Sequence, residues 1–390
     1  MGQMLLVGFG GSRQSRSGDV IWRDPHGAAF DAGSEIARDI AERRVGGVIL
    51  FSRPARDAAD AARPGRNIES PMQLATLVAA LRKFSAERRA RAGLEPIPLL
   101  VAIDQEGGRV DRLPTALGFS QRTVSARALG GYRELAARDP EADARARELT
   151  HAYASAMAAQ LRSLGVDLDL APCVDVNANP SSPAIGRFGR SFSSDPELVA
   201  QLAWEFSEAF HEQGVLATLK HFPGHGSAAG DSHRGFVDAT PTYQAAAELQ
   251  PYRALIARGY RDVILVGHLV NGALDRTQCR PGSADDPRSW CPASMSRATV
   301  TGLLRGELGF QGVVAADEMA MGAIARDYPL EVALERAIDA GVELFIVGNH
   351  TRPGTNVFAD TIAQLVESGR VDPERIRRAS ESVRALKRRL

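Results

Sequence analysis

The chain has 390 residues, 44% hydrophobic and 24% charged, enough for one large or two medium domains. Its 47 basic and 47 acidic side chains cancel, which argues against a nucleic acid or anionic membrane held by bulk electrostatics. No run of about 18 apolar residues occurs, so no membrane-spanning helix is expected.

The opening Met1-Gly2-Gln3-Met4-Leu5 lacks the basic segment and cleavage site of a signal peptide. It enters a strand almost at once, which leaves room for a removed upstream segment. Eight apolar runs read as strands: Leu5–Phe9, Gly47–Phe51, Leu99–Ile103, Val166–Leu170, Leu216–Lys220, Val263–Val266, Val313–Ala316 and Glu343–Val347. None alternates cleanly. Continuous apolar runs are what parallel strands buried on both faces require. Helical patterns separate them. Asp195-Pro196-Glu197 and Asp372-Pro373-Glu374 each supply an N-cap, a proline at the first helical position and an acid in the first turn. Leu149, Tyr153, Met157, Leu161 and Leu164 recur every three to four residues and predict one apolar helix face. Eight strand–helix alternations predict a (β/α)8 TIM barrel as a single domain over 1–390, with an open doubly wound sheet as the alternative. Residues 275–292 read as a loop insertion.

A barrel keeps its chemistry just past the carboxyl ends of its strands. Asp104, Asp169, Lys220, His221, His268, Asp317 and Asn349 all fall there. The densest stretch is Lys220-His221-Phe222-Pro223-Gly224-His225-Gly226, followed by Asp231-Ser232-His233. Pro223 and the glycines at 224, 226 and 230 make it a loop. Lysine is nearly everywhere replaced by arginine, so Lys220 stands out. Asp104 ends a buried strand, and Gly107-Gly108 lets the backbone approach a ligand. That stretch is no phosphate loop, because no Gly-Lys-Ser/Thr follows. Gly8-Phe9-Gly10-Gly11 is no dinucleotide fingerprint, because Arg13 stands where the last glycine belongs. Asp317, after Val313-Val314-Ala315-Ala316, is either a nucleophile or a buried structural acid; Glu318 reads as structural or solvated. The i,i+4 pair His221 and His225 suggests a metal-dependent hydrolase, but Phe222-Pro223-Gly224 cannot form the helix a zinc pair needs. No cofactor or metal is expected. Cys173 reads as a buried thiol. Cys279 and Cys291 flank an apparent surface loop as a disulfide or two free thiols, and a disulfide would suggest an oxidising compartment.

Several motifs together resemble glycoside hydrolase family 3, and within it the bacterial β-N-acetylglucosaminidases. They are Ile103-Asp104-Gln105-Glu106-Gly107-Gly108-Arg109-Val110, Gly189-Arg190-Ser191-Phe192, the Lys220–Gly226 and Asp231–His233 stretches, and Asp317. Ala316 replaces the family's usual Ser or Thr, Glu318 its usual Asp, and the 275–292 insertion is foreign to the pattern. The resemblance implies a barrel with no second domain. It implies a retaining exo-enzyme that removes non-reducing β-linked GlcNAc, with peptidoglycan fragments as the natural source. Asp317 would be the nucleophile, with His233 and Asp231 as acid/base dyad on a mobile loop. Asp104, Arg112, Arg190, Lys220, His221 and His268 would bind the sugar, braced by Asp169 and Asp175, while His225 shapes the loop. The implied partner is a small GlcNAc-containing carbohydrate, and the working unit a monomer. The compartment would be cytoplasmic, or periplasmic if the disulfide forms and an upstream signal was removed. Alternatives are another sugar preference, as in a β-glucosidase, a GlcNAc phosphorylase (an uncharged histidine would not repel phosphate), or a non-catalytic sugar binder.

Overall fold

A computed structural model describes residues 1–9, 34–52, 67–348 and 354–390. Gly10, Gly11, Arg13 and Asn349 lie outside the described residues. All eight strands form: β1 Leu5–Val7, β2 Gly47–Leu50, β3 Leu100–Ile103, β4 Leu168–Asp169, β5 Thr218–Phe222, β6 Val263–Val266, β7 Val313–Ala316 and β8 Leu344–Val347. They pair in parallel in the order β4-β3-β2-β1-β8-β7-β6-β5. Closure falls between β4 and β5, through isolated bridges Leu168–Leu216 and Cys173–Lys220. There Asp169 N donates to Leu216 O at 2.9 Å and Val174 N to Lys220 O at 2.8 Å. The barrel alternative is thus the one realised.

Every strand residue is buried. One in two, including Leu6, Ile49, Ala102, Leu168, Leu265, Ala315 and Ile346, fills one apolar cluster, and their neighbours join the larger cluster shared with the helices. This is the packed interior and outer layer of a filled barrel. β6 and β7 keep the expected bounds, β2, β3 and β8 are one residue shorter and β1 two, and the largest departures are those of β4 and β5. β4 shrinks to two residues, and β5 starts two residues late and runs on to Phe222. The seam explains both, because its flanking residues make only single bridges and the β5–β6 register shifts between Lys220 and Phe222.

Asp195 and Asp372 cap the helices Pro196–Glu212 and Pro373–Lys387, each accepting from the backbone N–H two residues on at 2.9 Å. The helix Pro140–Ser163 corrects one expectation. Its buried stripe is Ala146, Thr150, Ala154, Met157, Ala158 and Leu161, while Leu149 stands 58% exposed. At about 100° per residue, Leu149 lies well outside that row, and the small residues in it let the helix seat closely.

The amino ends of β4, β6 and β8 share a device. Asp167, before β4, accepts Val101 N at 3.0 Å and pairs with Arg82. Asp262, before β6, accepts Ala217 N at 3.1 Å, with His211 and Arg389 each at 2.5 Å. Glu343, before β8, accepts Val314 N at 3.1 Å and pairs with Arg305 at 2.8 Å. Near β2, buried Lys387 donates to Gln3 Oε1 at 2.9 Å and Gly46 O at 2.7 Å.

The insertion is a hairpin rather than a free surface loop. Cys291 N donates to Thr277 O at 2.9 Å and Cys279 N to Ser289 O at 2.8 Å. Cys279 and Cys291 are joined as a disulfide with Cα atoms 4.9 Å apart, and both are buried, as is Trp290.

Candidate active site

The site grows from the carboxyl ends of β3, β5 and β7. Past β3 the chain must turn at once, and Gly107 and Gly108 do so with φ of 85° and 59°. A side chain at 107 would also meet Val124 O at 2.6 Å, so only glycine fits both constraints. Gln105 ties the turn together: its Oε1 accepts Arg112 N at 2.6 Å and its Nε2 donates to Asp111 at 2.8 Å. Asp104 and Glu106 are thereby aimed at the same cations. Lys220 Nζ, on an inward register position opposite Leu265, donates to Asp104 and sits 2.6 Å from Glu106 Oε1. Arg112 reaches Asp104 at 3.0 Å. Arg190 grips Glu106 with Nε at 2.8 Å and Nη2 at 2.6 Å, the bidentate fork of a strong pair. Burial disfavours the Glu106 carboxylate, but Arg190 and Lys220 overcome it and hold its pKa well below the usual range. Lys220 likewise stays charged: burial opposes it, and Asp104 and Glu106 lift its pKa.

His221 follows Lys220 through a cis peptide bond. Its Nδ1 lies 2.7 Å from Asp175 Oδ2 and its Nε2 3.2 Å from Arg190 Nη2. Asp175 also accepts His225 N at 2.7 Å and the Cys173 thiol at 3.2 Å. Burial raises the Asp175 pKa and His221 more than reverses it, leaving a carboxylate well below its ordinary range. Cys173, Asp175 and His221 bring three metal-ligating atoms within 4.8 Å, but those atoms are spent on hydrogen bonds to one another. Asp169 braces no cation. It accepts Gln105 N at 2.8 Å, its other oxygen has no partner among the described residues, and burial pushes its pKa well up.

Asp317 directly follows β7, its N–H bonded to Val266 O at 3.1 Å and its Oδ1 accepting Glu318 N at 2.8 Å. Burial works against its charge, yet His221, His268 and His233 together keep its pKa below the ordinary value. His268 is buried with both nitrogens engaged, 2.8 Å from Ser294 Oγ and 3.1 Å from Glu318 O. It bears on the site through Asp317 rather than by a free ring edge. Glu318 accepts Gly348 N at 3.0 Å.

His233 and Asp231 lie on the loop after β5. Asp231 Oδ1 is 3.0 Å from both the backbone N and Nδ1 of His233. The His233 side chain is 64% exposed, so Nε2 is open to a ligand. The bond to Asp231, opposed by burial and aided by Asp317, raises the His233 pKa, and the same bond lowers that of Asp231. The loop is seated firmly. A Cβ at Gly226 would stand 1.7 Å from Val176 O, and Ala323 N donates to Ser232 O at 3.0 Å. Glu248 braces it from below, accepting Ser227 N at 2.9 Å.

The sequence-predicted residues therefore fall into two groups. Asp104, Arg112, Arg190, Lys220 and His221 form one connected polar network. His233, Asp231, Asp317 and His268 are coupled through their fields. Sequence reasoning passed over Glu106, although it lies two residues beyond Asp104 in the same turn, and Glu248, which carries no local signal.

A carboxylate held ionised at a barrel rim, with an oriented imidazole in its field, is the equipment of a hydrolase that works by paired acid/base and nucleophile. The chain belongs to glycosyl hydrolase family 3: the family's N terminal domain model matches residues 1–386. It is 30% identical over 402 residues to β-hexosaminidase A of Pseudoalteromonas piscicida, covering 100% of this chain and 60% of that protein. It is 34% identical over 346 residues to the β-hexosaminidase of Xylella fastidiosa, covering 88% and 83%. A family 3 β-N-acetylglucosaminidase structure from Paenibacillus sp. superposes with a TM-score of 0.75 at 33% identity, covering 100% of this chain and 61% of that one. The chain thus spans about three fifths of two of these relatives.

Proposed function

We propose that the chain is a retaining exo-β-N-acetylglucosaminidase acting on non-reducing GlcNAc, with peptidoglycan-derived fragments as natural substrate. The observation that supports this reading is the pairing of a half-buried Asp317, whose carboxyl is held below its ordinary pKa, with an exposed His233 oriented by Asp231. A carboxylate oxygen of Asp317 bonds to the anomeric carbon. The bond to the aglycone oxygen breaks, and that oxygen takes the proton from His233 Nε2. Water then attacks the glycosyl-enzyme, gives its proton to His233 and frees Asp317. Retention follows from two inversions. Asp231 supports both protonation states by holding Nδ1.

Lys220, Asp104, Arg112, Arg190 and His221 bind ring hydroxyls as a pre-set grid, with Glu106 and Asp175 fixing its geometry. His268 acts by holding the field and backbone around Asp317. The names of the relatives support GlcNAc over glucose.

The test is nitrophenol release from β-GlcNAc and β-glucose glycosides by wild type and Asp317→Asn. Turnover of the GlcNAc substrate alone, abolished in the variant, is expected. Glucose turnover would move the specificity. Full activity in Asp317→Asn would remove the nucleophile assignment and the mechanism with it.

A further inference from the structure

We infer that the disulfide-closed hairpin of residues 277–291 is a positioning element for the acid/base loop, acting through Arg288 on Phe236. This rests on the proposed role of His233.

The hairpin meets that loop on its far side. The Arg288 guanidinium carbon lies 4.8 Å from the centroid of the Phe236 ring, three residues past His233. Directly beyond Phe236 the chain joins a small ladder. Val270 N donates to Val237 O and Ala239 N to Val270 O, each at 2.9 Å, and Val270 also bridges Pro292, the residue after Cys291. Ala293 N closes the ladder on Leu269 O at 2.8 Å. Ala228, Val237, Ala239 and Leu269 form a separate small apolar cluster beneath it. The loop that presents His233 is therefore spliced to the base of the hairpin.

The hairpin also holds the segment that follows Asp317. Arg280 Nη1 donates to Asp327 at 2.9 Å, and Tyr328 OH donates to Trp290 O at 3.2 Å. Ahead of these, the short helix Gly322–Ala325 touches the loop again: Ala323 N binds Ser232 O, and Gly322 lies so close to His233 O that a Cβ there would stand 2.9 Å away. The contacts make a closed circuit: hairpin, Asp327–Tyr328, Gly322–Ala325, Ser232–His233, Phe236, hairpin. Both proposed catalytic partners border it. A barrel loop fastened only at its ends would leave His233 free to wander. The circuit limits that freedom, and the disulfide keeps the hairpin in one shape whether or not sugar is bound.

A positioning role has a signature that loss of stability does not copy. The proton from His233 matters most for a basic leaving group and little for one that departs as a stable anion. The experiment measures kcat/KM for phenyl and 2,4-dinitrophenyl β-GlcNAc glycosides, because kcat/KM covers only the steps through aglycone release. The proteins are wild type, Arg288→Ala, Arg288→Lys, the double variant Cys279→Ala/Cys291→Ala, and His233→Ala as reference. Arg288 is exposed and outside the catalytic machinery, so its variants should fold.

The expected loss on the phenyl glycoside is about threefold for Arg288→Ala, the scale of an exposed cation–π contact. It is about tenfold for the double cysteine variant, part of the range a general acid supplies. The dinitrophenyl rate is unchanged in both, and Arg288→Lys recovers the phenyl rate. An equal loss on both glycosides, or no loss on the phenyl one, overturns the positioning role. A His233→Ala variant that slows both glycosides alike instead brings down the acid/base assignment, and the hairpin's role falls with it. The reference variant thus separates the two failures.

Discussion

The two rims of this barrel handle charge in opposite ways. At the amino rim the carboxylates Asp167, Asp262 and Glu343 are fully employed: each takes a backbone N–H at or just before the preceding odd strand and pairs with a basic side chain. These pairs are local and repeat around the ring. At the carboxyl rim the charges are pooled. Glu106 is shared by Lys220 and Arg190, Asp104 by Lys220 and Arg112, and Asp175 by His221, His225 and Cys173. Valence is also left over. Among the described residues, Asp169 Oδ2, Glu248 Oε2 and both ring nitrogens of His225 have no partner. The lesson is that one rim spends its carboxylates on closing the fold, and the other gathers its polar groups into shared networks.

The largest expected effect should break the symmetry outright. Asp317→Asn is expected to lower kcat at least about 10³-fold with an unchanged melting temperature. The reciprocal change, Asp262→Ala, removes the shared partner of Ala217 N, the His211 ring and the Arg389 guanidinium. It is expected to cost about 3 kcal/mol in urea unfolding while kcat stays within twofold of wild type. Activity loss in Asp262→Ala without a stability loss would contradict the division between the rims.

Next comes pH. His233 keeps its proton above the usual imidazole range, chiefly through Asp231, and Asp317 loses its own below the usual carboxylate range. On the proposed mechanism the kcat/KM profile is expected to be broad. Asp231→Asn removes the bond that raises His233, so the alkaline limb should move to lower pH while the acid limb, set by Asp317, stays put. An unmoved alkaline limb would assign it to another group.

Smaller still is the signature of Glu248, whose pKa burial raises to about 7. The folded form holds this proton longer than the unfolded chain. Its contribution to stability is full below the unfolded value and is lost as pH rises through about 7. Thermal melts of Glu248→Gln at pH 5 and pH 7.5 should show a flatter pH dependence than wild type; a parallel dependence would rule the group out. The smallest effect belongs to the helix caps. Asp372→Ala should cost about 1 kcal/mol and leave catalysis alone.

Much of this was legible in the residues. Strands buried on both faces must be continuously apolar, so all eight could be read from composition alone, and Asp195 and Asp372 announced their helices. The rim residues were found because a barrel places every strand's carboxyl end on one side. Other features were not legible because they depend on distance in space. His221 meets Asp175 across 46 positions, and Glu106 meets Arg190 across 84. Leu149 matched a helical period but lay off the stripe, because three alanines rather than leucines set the closely packed side. The hairpin looked like a solvent loop from its Arg, Pro and Asp content, and only the fold buries its base.

The seam between β4 and β5 carries a consequence for how the molecule breathes. Seven of the eight strand pairs are joined by ladders, and this one by single bridges. Amide hydrogens there should trade with deuterium ahead of those in β6–β7, because fewer bonds must open together. The Cys173–Lys220 bridge belongs to that weak line. Each brief parting of the seam would loosen the backbone beneath the lysine. A sugar bound to the rim should then act as a rivet, slowing exchange on both sides of a joint that it does not itself span.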